Sequence, residues 1–230
     1  MTPGEYRLRV RYGKTGRLRH LSHLEVVHAL ERSLRRANLP YAVTQGFNPH
    51  MKVAFGPALP VGTAGQNEYL DVWLTRYTSA DDVLDTLVRS SPEDLAPREA
   101  RFVGNDLASL TAALTIGMYR VEIDGKGIED SQVQAALSQV MEEREFSIER
   151  KGKTKVYDLV RSIPKEPRTV GREGGVDIDL AIRMGPDGAL RPEALVRFAL
   201  SRVGIEPTAL RTTRTDTLVE SDEAVWSRPM

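Results

Sequence analysis

All four histidines of this 230-residue chain, His20, His23, His28 and His50, fall within its first fifty residues. An imidazole there can move a proton near neutral pH or contact an anion. His50 shares the stretch QGFNPHMKVAFGPALPVG with Lys52, among glycines 46, 56 and 62 and prolines 49, 57 and 60. Loops held by such backbone-restricting residues can fix functional side chains in place. His50 and Lys52 suit a phosphate or a substrate carboxylate. Asn48-Pro49 marks a turn, and Gly46 is expected to take a positive φ. Gly56 and Gly62 either present N–H groups to an anion or simply make turns. Phe47 is expected to plug the core. His23 is read three ways: a buried, satisfied histidine, a general acid–base, or an RNA contact.

Charge is distributed in the same uneven way. Net charge is zero, but residues 1–52 carry ten Lys/Arg against three acids, a balance of +7. Residues 53–110 carry −5 and the remainder −2. A basic first quarter on a neutral chain points to a local anionic partner.

Several chemistries are disfavoured. With no cysteine in the sequence, there is no disulfide, cysteine-ligated zinc or cysteine-held iron–sulfur cluster in this chain. No cofactor and no metal site are expected, a His20/His23/His50 trio being a weak ligand set. Gly-Lys-Thr occurs at Gly13–Thr15 and Gly152–Thr154, but Leu8 and Ser147 stand where a P-loop needs its first glycine. No apolar run near membrane-spanning length and no secretory signal pattern is visible, so a cytoplasmic protein without membrane contact is expected.

Hydrophobic periodicity supplies the elements that must position these residues. YRLRVRY alternates Tyr6, Leu8, Val10 and Tyr12 with Arg7, Arg9 and Arg11, which predicts a half-buried strand. Ser22 and Glu25 form a capping-box pattern at the head of a helix. Val26, Val27, Leu30, Leu34 and Ala37 lie on one face of that helix, and His28, Arg32 and Arg35 on the other. Strands are predicted at PYAVTQ, KVAF, EYLDVWLT and REARFVG, with a helix at SADDVLDTLVRS. The order β-α-β-β-α-β is the ferredoxin-like pattern, and it recurs from GMYRVEID through the closing strand PTALRTTRTDTLV. The predicted fold is therefore α+β, two tandem ferredoxin-like sandwiches over residues 1–106 and 112–220, with a tail at 221–230. In the first, Leu8, Val10, Leu70 and Val72 face the helices. Arg7, Arg9, Arg11, Tyr69 and Trp73 then share the other face, either as a single-stranded RNA surface or covered by the second domain.

The segment from Gly16 to Leu74 resembles the radical SAM-linked protein family, a bacterial domain of unknown function. The matching residues are Ser22-His23-Leu24, Arg35-Arg36, Gly46 to His50 and Asn67-Glu68-Tyr69. KTKVYDLVRSI resembles the family's second motif, with Asp158 and Arg161 set further apart than usual. The resemblance implies a radical SAM partner, often one with a cobalamin-binding domain. The leading expectation is an accessory protein presenting tRNA or rRNA to that partner, with Arg7, Arg9, Arg11, His23, Arg35, Arg36, Asn48, His50, Lys52, Tyr69 and Trp73 as the ligand surface. Two alternatives are an endoribonuclease-like enzyme using His23, with Lys52 stabilising the phosphorane, and a protein-docking module.

Overall fold

The computed structural model describes residues 4–150, 152–185 and 188–230. The fold is mixed α+β. It divides into two compact units, one running to Leu114 and taking in Ser227–Met230, the other spanning Thr115–Trp226.

In the first unit, β1 (Tyr6–Lys14) leads through a 3-10 turn to α1 (His23–Arg36), followed by β2 (Val53–Phe55), β3 (Ala64–Leu74), α2 (Ala80–Ser90), β4 (Pro97–Phe102) and the single turn α3 (Leu110–Ala113). The strands are antiparallel in the order β4-β1-β3-β2. The alternation of β1 and β3 decides what is inside. Leu8, Val10, Leu70 and Val72 form a core with Val26, Leu30 and Leu34 of α1 and Val83 and Leu87 of α2. Ser22 caps α1 as its sequence predicts: its Oγ accepts from the Glu25 N–H, and a Glu25 carboxylate oxygen accepts from the Ser22 N–H at 2.8 Å.

One expected strand is different. Residues 40–45 make only isolated bridges, Tyr41 with Leu74 and Val43 with Met51. The position beside β3 is taken by Val53–Phe55, so this segment folds back on residues 50–52 instead. Thr44 N–H donates to His50 O, Lys52 N–H to Ala42 O, and Ala42 N–H to Trp73 O. The result is a hairpin-like loop projecting from the end of β3.

The second unit contains β5 (Ile116–Asp124), α4 (Asp130–Glu142), the hairpin β6 (Glu145–Arg150) and β7 (Lys153–Asp158), α5 (Leu159–Ser162), β8 (Arg168–Arg172), β9 (Gly175–Arg183), α6 (Pro192–Arg202) and β10 (Ala209–Glu220). Its antiparallel order is β10-β5-β9-β8. Val121, Ile123, Ile178 and Leu180 pack against Val133 and Leu137 of α4 and Leu195 and Val196 of α6. The strand expected over residues 145–151 ends at Arg150, Lys151 lying outside the described residues. No helix among the described residues is long and apolar enough to cross a membrane.

Candidate functional site

The arginines of β1 do not form an open face. Asp71 of β3, fully buried, sits between Arg7 and Arg9, whose side chains are 3% exposed. Arg7 Nε and Nη2 donate to Asp71 Oδ2 at 2.9 and 2.6 Å, and Arg9 Nε donates to Oδ1 at 2.8 Å. Arg9 Nη2 also donates to Asp71 Oδ2, at 3.0 Å, and further guanidinium donors are met by backbone carbonyls: Arg7 by Leu107 and Ala108, Arg9 by Pro229. Two guanidiniums share one carboxylate, so the excess positive charge draws carbonyl oxygens from the 104–108 segment and the chain's end across this face. Arg11 is likewise engaged, with Glu99 and with Asn67 Oδ1 at 2.6 Å. Tyr69 is buried. Trp73 lies near the Arg7 guanidinium and the Lys52 ammonium, 5.4 and 5.2 Å from its ring centroid, and its Nε1 donates to Asn105. Lys52 also pairs with Glu5. Arg7, Arg9, Tyr69, Trp73 and Lys52 therefore hold this face together rather than offering it to a ligand.

A different set is exposed. Phe47 is 100% exposed, at the tip of the 44–50 hairpin, and is no core plug. Its loop is braced. Gly46 adopts φ +145°, His50 N–H donates to Thr44 Oγ1 at 3.2 Å, and His50 Nδ1 lies 3.1 Å from the Asn48 carbonyl oxygen. Asn48 and His50 are exposed beside Phe47. The outer side of α1 is exposed at His28, Arg32, Arg35 and Arg36, Arg36 donating to the Ser90 carbonyl that ends α2. The chain passes from Arg36 through Pro40 and Tyr41, anchored on Thr75 and Leu74 at the end of β3. Arg35, Arg36 and the base of the hairpin thus share one end of the unit.

His23 opens α1 and is half-buried, its ring edge-on to Phe55 at 5.9 Å. Burial, and then the Lys14 ammonium, hold its imidazole below the usual histidine range, which leaves it neutral near pH 7. Lys14 is the cationic neighbour of His23 in this structure. Lys14 and Glu68 are buried and line a small cavity with His23. Among the described residues no group of three or more His, Cys, Asp or Glu is placed to hold a metal ion.

A family model described as uncharacterized proteins conserved in bacteria (DUF2344) matches residues 7–192. The chain belongs to this family. No curated protein matches it. Among solved structures, a chain of a Cbf5–Nop10–Gar1 complex aligns with a TM-score of 0.49 at 14% identity, covering 91% of this chain and 48% of that one. A protein of unknown function from Galdieria sulphuraria aligns at 0.26 and 13%, covering 90% and 98%. A putative glycine cleavage system transcriptional repressor aligns at 0.24 and 11%, covering 92% and 99%. None of the three is similar enough to lend this DUF2344 member a function.

Sequence reasoning took Glu68 only as part of the Asn67-Glu68-Tyr69 match and as a strand-edge charge, and did not single out Lys14, yet each left a signal. Glu68 has the same parity as Leu70 and Val72, so a strict alternation already points a carboxylate inward. Lys14 has the parity of Leu8, Val10 and Tyr12, so the alternation of β1 points its ammonium to the same side.

Proposed function

We propose that this protein is an accessory binding protein that holds single-stranded RNA for a partner enzyme, the radical SAM protein that the sequence resemblance implies. The observation that carries the reading is Phe47, a fully exposed aromatic ring on a braced loop. Exposing a phenyl ring to water costs free energy that burial would recover, and a nucleobase stacked on it covers the ring without demanding a particular sequence. Arg32 and Arg35, exposed along α1, supply cations that a phosphate backbone needs, Arg35 at the hairpin's end of the unit. Having no cysteine, the chain offers no thiolate to an iron–sulfur cluster, so radical chemistry would belong to the partner. As a finer reading of the fold, the strand orders β4-β1-β3-β2 and β10-β5-β9-β8 support two tandem ferredoxin-like sandwiches.

The test is fluorescence anisotropy with a labelled single-stranded RNA. Phe47→Ala is expected to weaken binding by about 1–3 kcal/mol and to leave the melting temperature unchanged, since the ring packs on nothing. Unchanged RNA affinity overturns the reading. So does purification from native cells that yields a stoichiometric radical SAM protein and no RNA, which makes the same loop a docking surface.

A further inference from the structure

From the hairpin the chain runs along β2 directly into Gly56–Leu59, one wall of a cavity beneath the first turn of α1. The cavity measures about 10 Å³, the space of a single water molecule. Its polar lining is dense for that size. Lys14 is 2% exposed and Glu68 4%, on neighbouring strands in which Tyr12 stands opposite Glu68 and Lys14 opposite Gly65. The Glu68 carboxyl group lies where a side chain at 65 would be: a Cβ there would come within 2.6 Å of Oε1. His23 stands at the remaining side, fixed against Phe55.

We infer that this cavity receives one hydroxyl group of a ligand, and that on RNA the group is a ribose 2′-hydroxyl; the inference rests on the RNA reading above. Lys14 and Glu68 have partners within the fold; an ammonium has three donors and a carboxylate about four acceptor positions, so one partner exhausts neither. An ammonium only donates and a carboxylate only accepts. A neutral imidazole does one of each. The group that suits all three must both donate and accept within the volume of one oxygen atom. A phosphate oxygen would meet Glu68 with like charge, and an ammonium group would meet Lys14 in the same way. A methoxy group has no proton to give and is too large. A hydroxyl satisfies every wall and replaces the water isosterically. Phe47 and Gly56 are nine residues apart, at most about 31 Å at strand rise, a distance that a single strand of several nucleotides can span. The 2′-hydroxyl is also the group by which a protein tells RNA from DNA.

The experiment compares anisotropy titrations of fluorescein-labelled oligouridine, its 2′-deoxy counterpart and its 2′-O-methyl counterpart on the full chain. Oligouridine is expected to bind about tenfold tighter than either of the others. His23→Ala, at a half-exposed position, and Glu68→Gln, which keeps the side chain's shape, are each expected to bring that ratio toward one. The ratio compares ligands on the same protein, so a loss of stability does not move it. Equal binding of the three by the wild type overturns the pocket's assignment and leaves the RNA reading standing. Binding of none overturns both.

Discussion

Asp71 shows how one carboxylate determines what the arginines around it can do. It is buried between two buried guanidiniums, and desolvating three charges is offset only while all three remain together. Asp71→Ala is therefore expected to destabilise the protein by about 3–5 kcal/mol, measured by urea unfolding. Replacing Arg7, Arg9 and Asp71 together with apolar residues of similar volume should cost much less, because no orphaned charge remains. A single variant that unfolds at the wild-type midpoint would show that water reaches this face. The alternating arginines were legible in the sequence, and so was their shared side of β1. Their pairing was not, because Asp71 lies 62 and 64 residues away and strand register decides which residue it meets. Phe47 failed for the opposite reason. Its apolar side chain predicts burial, yet a loop braced by its own Thr44–His50 contacts holds it in water.

At the level of elements, the strongest local signals were obeyed. The Ser22–Glu25 box formed, and α1 buries Val26, Leu30 and Leu34 while leaving His28, Arg32 and Arg35 outside. Weak signals failed where two segments competed for one place. PYAVTQ has strand-forming residues, but β2 took the edge of β3 and left it a bridge on either side. In the second unit, β7, α5 and β8 lie in a stretch broken by Gly152, Pro164, Pro167, Gly171 and Gly174, which reads as connection. The capping box also has a consequence for the cavity, since it sets the first turn of α1 and with it His23. The Ser22 hydrogen bonds hold the Glu25 carboxyl below its usual range. Ser22→Ala is expected to cost about 1 kcal/mol and to fray that turn. Amide hydrogen exchange should show faster exchange at the start of α1 and unchanged protection in β3. Uniformly faster exchange across the unit would show that the cap acts on global stability alone.

At the scale of the whole molecule, net charge is zero, so long-range attraction cannot bring a polyanion to this protein; local charge must. The +7 first quarter overstates that local charge. Arg7 and Arg9 share Asp71, Arg11 pairs with Glu99 and Lys52 with Glu5 inside the first unit, while Arg32 and Arg35 of α1 stay exposed. The salt dependence of RNA binding therefore has a definite source. Each phosphate contacted on a single strand contributes about −0.7 to the slope of log K against log salt concentration. If Arg32 and Arg35 each meet one phosphate, Arg32→Ala/Arg35→Ala flattens the slope by about 1.4. Arg197→Ala, which removes an exposed cation already paired with Glu193 in the second unit, should leave it unchanged. Phe47→Ala should lower affinity at every salt concentration without changing the slope, since stacking releases no counterions. A double-arginine variant with the wild-type slope would place the phosphates elsewhere. A Phe47 variant with a flattened slope would mean that the hairpin orders the cations rather than the base.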